Sequence, residues 1–317
     1  MQNRIRVALA FLAIYLIWGS TFLATRYAVE TIPPFFVSGT RFFLAGLILV
    51  AYAEIRHPPR LTLPQVAASV WMGGLFFLVC HGGVSWAAQY VPSGVSALLM
   101  SSISLWTALL EVVRGYSTRP GRRMVVALVV GFAGIALLVI HPEVLAGTEP
   151  GSLGALVVLG SAVSWAAGTV LAKSVPKPSS TALAAGLQMT AGGGLLLVAG
   201  LVSGQSAKFQ WAAITAQAAW AMVFLTLIGS LVGFTCYLWL LGRISPTRVA
   251  TYAYVNPIVA LLVGWMFGGE HPGVWSFVAS GIVIGSVATV ISSREPAQSN
   301  QEKTKSVASS PAFAEGR

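Results

Sequence analysis

Residues 7–26 read VALAFLAIYLIWGSTFLATR, and residues 154–173 read GALVVLGSAVSWAAGTVLAK. Each is a run of apolar and small residues long enough to cross bilayer hydrocarbon as a helix, which takes about 20 residues. Leu12, Trp18 and Arg26 of the first stretch find Leu159, Trp165 and Lys173 in the second at one constant spacing. The chain therefore spans a membrane and repeats itself. Pro92 and Val95 recur in the same way as Pro246 and Val249, and the Gly- and Pro-containing loop Glu143–Gly151 separates the two copies.

Outward from these stretches, ten windows have the length and apolarity of a span: roughly 7–25, 35–53, 66–88, 93–113, 124–140, 152–172, 180–203, 215–241, 244–268 and 272–292. Backbone polar groups in lipid must be satisfied internally, so spans are helices or closed barrels. No ten-residue segment alternates as a barrel strand would. The fold class is an all-α polytopic membrane protein with ten transmembrane helices. Each copy holds five spans, and an odd number reverses direction. The second half thus enters from the opposite face, giving two inverted five-helix repeats, residues 1–146 and 147–293.

Composition agrees. The 317 residues are 56% hydrophobic and only 9% charged, against about 25% charged in soluble domains. That balance excludes a secreted disulfide scaffold, a disordered chain and a nucleic-acid module. The net charge of +10 is read through its placement. With a cytoplasmic N-terminus, every Lys and Arg except Arg26, Arg41 and Lys208 falls in a cytoplasmic segment, which places both termini inside. The expected partners are the lipid bilayer and a small-molecule substrate, with no nucleic acid. Arg4 and Arg6 precede an apolar run from Val7 to Ala24 that is nearer a span than the short core of a signal peptide. Residues 294–317, rich in Ser, Gln, Lys, Glu and Pro, read as a disordered cytoplasmic tail.

The chain contains no aspartate, and its glutamates lie mostly at span ends, in loops or in the tail. No two carboxylates share a span, so paired acid–base chemistry has no residues to run on. No HExxH, GxSxG or P-loop lysine occurs. No catalytic residue, metal ligand or cofactor is expected. Glu111, one turn before Arg114, reads as half of an interfacial ion pair. Cys80 and Cys236 fall at different depths, too far apart for a disulfide.

Four stretches resemble the drug/metabolite transporter superfamily, in particular its ten-span EamA family. They are Leu16-Ile17-Trp18-Gly19-Ser20-Thr21-Phe22, Gly39-Thr40-Arg41-Phe42-Phe43, Val91-Pro92-Ser93-Gly94-Val95, and Tyr252-Ala253-Tyr254-Val255-Asn256-Pro257, the last continuing to Gly269-Glu270. The resemblance covers about residues 5–292. It implies two EamA repeats, cytoplasmic termini, the cytoplasmic (inner) membrane and alternating access through a central cavity. Many members resemble exporters of amino acids or related metabolites. The first half departs from the pattern where Ser102-Ile103 stands opposite Asn256-Pro257 and where Arg114-Gly115-Tyr116 replaces the Gly-Glu ending.

Candidate cavity residues follow from depth and chemistry. Trp18 and Trp165 lie too deep for an interfacial belt; each offers apolar area and one indole N–H to a cavity, or packs within the bundle. Tyr252, Tyr254, Asn256 and Pro257 form the densest polar cluster. Pro257 cannot bond the carbonyl at 253, so this span exposes backbone, or simply kinks. Arg41 is a charge inside a span, at a cost of roughly 2.5–3.5 kcal/mol at a helix centre. Snorkelling, pairing with Glu30, or a wet cavity would offset it. His81 is the one side chain within a span that ordinarily titrates near neutrality, suited to proton coupling or to plain hydrogen bonding. Gln188 is a further polar candidate. Glycine pairs such as Gly229/Gly233 permit close helix approach. The function expected is secondary transport of a small amphipathic metabolite, outward; a channel or facilitator, then a membrane-embedded enzyme, are the alternatives.

Overall fold

A computed structural model describes residues 2–56, 61–115, 121–140, 149–178, 180–241, 243, 249 and 251–308. Most of the loop Glu143–Gly151, the repeat position Pro246, the basic residues Arg60, Arg119 and Arg248, and residues 309–317 lie outside the described residues. The helices are α1 Gln2–Val29, α2 Pro34–Arg56, α3 Leu63–Ala87, α4 Ser93–Val113, α5 Arg122–Ile140, α6 Glu149–Leu171, α7 Thr181–Val202, α8 Ala216–Leu240, α9 Tyr252–Phe267 and α10 Val274–Ala308. All but α9 are long and apolar enough to cross a membrane, and no strand occurs among the described residues.

Local chemistry marks the helix ends. Gln65 Oε1 accepts from Thr62 N at 3.0 Å before α3, and Thr215 Oγ1 accepts from Ala218 N at 3.2 Å to open α8, each satisfying a backbone N–H at a helix start. At the end of α9, Gly269 adopts φ 60°, which lets Gly268 N and Glu270 N both donate to Gly264 O, at 2.9 and 3.0 Å. A side chain there would be strained.

Contact registers fix the direction of each helix. Along α1 and α9, Tyr15 meets Thr251, Trp18 meets Tyr252 and Arg26 meets Glu270 beyond the helix end, so the two run parallel. Along α4 and α9 the order reverses: Gly94 faces Leu261 while Ser93 lies beside Gly264. Val91, just before α4, lies against Gly154, and Glu111 pairs with Lys173, so α4 and α6 run parallel. It follows that α1 and α6 are antiparallel. The two halves enter from opposite faces.

The packing repeats as well. α1 lies against α8 and α9, and α6 lies against α3 and α4; α2, α4 and α5 pack on their own counterparts α7, α9 and α10. The α2–α7 seam is lined by glycines. A Cβ on Gly193 would collide with the Phe43 backbone nitrogen, and one on Gly186 would stand 2.9 Å from Val50 N.

Three features depart from the sequence reading. α10 continues to Ala308, so residues 294–308 have helical backbone where a disordered tail is expected. Loss of apolar residues ends a membrane span, but helical backbone needs only propensity, which Ala297, Gln301, Glu302 and Lys303 supply. Glu111, expected to pair with Arg114, makes an ion pair at 2.6 Å with Lys173, just beyond the end of α6. Within α3 and α8, residues Gly74–His81 and Phe224–Val232 are π-helical, a widened turn without a sequence signature. Cys80 is buried, and both cysteines are free thiols.

Candidate functional site

The two π segments occupy matching places in the halves, and each is met by a donor from the first helix of the other half. Widening a helical turn leaves carbonyls without their usual partner. Trp18 of α1 donates its Nε1–H to Gly229 O at 3.1 Å. Ser164 of α6 donates Oγ–H to Leu75 O at 2.9 Å. These bonds in a nonpolar bundle are each worth about 0.6 kcal/mol, and they place Trp18 and, one residue on from Ser164, Trp165 against opposite halves.

Around Trp18 stands an aromatic box. Phe234 and Tyr237 of α8 lie at ring distances of 5.9 and 5.3 Å, and Tyr252 of α9 meets it edge-on at 5.0 Å. Gly233 permits this, because a Cβ there would stand 2.5 Å from the indole nitrogen. Gly19 lets α9 approach in turn, its Cβ position lying 3.1 Å from Asn256 O. Trp165 has a thinner setting, with Phe76 at 4.8 Å and His81 edge-on at 5.6 Å.

Arg41 joins the two tryptophans. Its Nε donates to Ser230 Oγ at 2.8 Å, and Ser230 donates onward to Leu225 O at 3.0 Å. Ser230 follows Gly229, the residue that accepts from Trp18. On its other side the guanidinium lies 4.6 Å from the Phe42 ring centre. Phe42 contacts His81 at 4.5 Å, and His81 contacts Trp165. A continuous path of contacts thus runs Trp18, Gly229–Ser230, Arg41, Phe42, His81, Trp165, through α1, α8, α2, α3 and α6.

The candidates divide accordingly. Trp18, Trp165, Tyr252, Arg41 and His81 come together. Asn256 adjoins through Gly19; it is buried, and its Oδ1 has no hydrogen-bond partner. Pro257 is buried in the second turn of α9, beside Asn256. Tyr254 does not join them, packing instead against the core of α4, α5 and α10. The backbone carbonyl of Gln188 faces Gly73 on the α3–α7 seam. Of the three ways to offset the Arg41 charge, pairing with Glu30 is not realised; Glu30 is exposed, while Arg41 is 6% exposed.

Ser230, Phe76, Phe234 and Tyr237 were missed by sequence reasoning. Phe42 belongs to the stretch Gly39-Thr40-Arg41-Phe42-Phe43, and Gly229/Gly233 read in the sequence as packing residues. Their aromatic and small-residue types gave a signal, but the turn that aims them is the π segment, which composition does not report.

One further ion pair ties the end of α9 to α1 and α4. Glu270, with a side chain 9% exposed, accepts from Arg26 Nη1 at 2.5 Å. It also takes the first backbone donors of α4, Ser93 N at 2.7 Å and Gly94 N at 3.2 Å. A carboxylate at a helix N-terminus satisfies orphan donors and the helix dipole together.

Comparison with known proteins places this geometry. Residues 5–140 and 152–292 each match the EamA-like transporter family. The chain is 32% identical to the uncharacterized inner membrane transporter YedA of Escherichia coli (strain K12), over 89% of each chain. It is 28% identical to the uncharacterized transporter YvbV of Bacillus subtilis (strain 168), over 94% of each. A probable amino-acid metabolite efflux pump of Salmonella typhimurium (strain LT2) is 23% identical, over 82% of this chain and 86% of that one. One solved crystal structure has the same fold, with a TM-score of 0.60 at 20% identity, covering 89% of this chain and 95% of its own.

Proposed function

This chain belongs to the EamA-like transporter family, and we propose that it exports a small amphipathic metabolite, an amino acid or a related compound, by alternating access. It is a multi-pass membrane transporter, and the names of its family and relatives are those of transporters, not enzymes. In this reading it sits in the inner membrane with both termini cytoplasmic, as the placement of its basic residues favours. The solute binds in a central cavity between the halves. Trp18, Trp165, Tyr252, Asn256 and Pro257 line it, with Arg41 and His81 between the tryptophans.

The observation that carries this reading is the crossing of the two tryptophans: each first helix of a half reaches a widened turn in the other half. A solute held there touches both halves, so its binding can bias their relative position. The efflux-pump relative supports the metabolite class and the outward direction. The test compares extracellular metabolites of cells with and without the protein. An excess of one class outside expressing cells is expected. In proteoliposomes that class should show saturable, competable flux; flux rising linearly with concentration would make the protein a channel and sink the carrier reading.

A further inference from the structure

Arg41 is a cation held inside the bundle without an anion among the described residues. Among the described residues the ion pairs are Arg26–Glu270 and Lys173–Glu111, and Arg41 takes part in neither. At 6% exposure it does not snorkel to the rim. Its Nε is satisfied by Ser230, yet neither terminal nitrogen makes a hydrogen bond within the described residues. Nor are these nitrogens among the fully enclosed orphan polar atoms, which belong to Thr31, Ser93, Ser96, Trp106 and Asn256. Each therefore keeps a little accessible surface inside the bundle. A Cβ on Gly229 would lie 3.2 Å from Arg41 Nη2, so the glycine that accepts from Trp18 also lets the guanidinium approach this turn.

An unmet charge in a dry environment is costly, and a family of paired donors is left unused. A guanidinium fork fits a carboxylate with two parallel hydrogen bonds. Charge sets the class further. A phosphate monoester carries about −1.5 to −2, more than one cation can neutralise; an amine would add a second positive charge. The rings of Phe42, His81, Trp18 and Trp165 along the path suit an apolar body. We propose that the solute carries a single carboxylate on an apolar body and that Arg41 is the residue that recognises this charge. The assignment rests on the solute-site reading above.

The test uses full-length protein in detergent, its thermal midpoint being followed against phenylacetate, phenylacetamide, 2-phenylethylamine and phenyl phosphate at fixed ionic strength. Phenylacetate should raise the midpoint saturably. Phenylacetamide, the same body without the charge, should need a roughly 10- to 100-fold higher concentration, the worth of a charge-assisted hydrogen bond. The amine and the phosphate ester should be at least as weak as the amide. Arg41→Gln should abolish the preference for phenylacetate over its amide, and Arg41→Lys should retain part of it. If either variant fails to fold, the wild-type series still decides. Amide or amine binding as tightly as phenylacetate overturns the assignment, and so does the absence of any response to phenylacetate. The extracellular-metabolite comparison assumes nothing about charge, so in either case it tests the transport reading separately.

Discussion

Trp18 combines two contributions that substitution can separate. Its indole N–H bonds Gly229 O, and its ring packs against Phe234, Tyr237 and Tyr252. Trp18→Phe removes the bond and keeps a ring, a loss of about 0.6 kcal/mol or about threefold in flux. Trp18→Ala removes both; with aromatic pairs worth about 0.5–1.5 kcal/mol, flux should fall by about tenfold or more. Proteoliposome flux at matched protein content checks the order; equal activity of the two variants would show that the ring packing is unimportant, and wild-type flux in Trp18→Phe that the N–H is. Trp18 and Trp165 were legible in the sequence because depth and constant spacing both single them out. Ser230 was not, since a serine in a membrane helix usually bonds its own turn. Tyr254 packs elsewhere than Tyr252 because residues two apart on a helix face different neighbours.

At the scale of the helix, hydropathy located nine of the ten windows to within a few residues, because the cost of unpaired backbone in lipid leaves little choice, while the window 244–268 holds the shorter helix Tyr252–Phe267. The π segments and the continuation of α10 to Ala308 escaped it. Neither changes how apolar a window is. Glycine spacing hinted at close seams without saying which helices meet. On the α2–α7 seam Gly193 faces backbone, which cannot rotate away, whereas Gly160 on α6 faces nothing within 4 Å. Gly193→Ala should destabilise the purified protein by about 1–3 kcal/mol, the usual cost of overpacking, while Gly160→Ala should leave it unchanged. Thermal unfolding in detergent reads the difference. Equal midpoints for both variants would mean that the seam yields easily.

For the whole molecule, duplication and an odd number of spans per half were enough to anticipate opposite threading, and the contact registers of α1, α9, α4 and α6 carry it through. Tags inserted at residues 145–150 and at the C-terminus should accordingly be labelled from opposite faces of intact cells, and tags at the two termini from the same face. Labelling of the inserted loop and the C-terminus from one face would contradict the registers. The pattern of helix neighbours has a mechanical corollary. Exchange of the halves maps α2–α7, α4–α9 and α5–α10 onto themselves but swaps α1–α9 with α6–α4. The molecule is a palindrome about the membrane plane, and the self-mapped seams can serve as a common hinge for opening on either side. In the alternating-access cycle proposed above, stiffening such a seam would slow both strokes alike. Weakening the Arg26–Glu270 latch while its counterpart Lys173–Glu111 at the other mouth stays intact would instead tilt the resting balance toward one side.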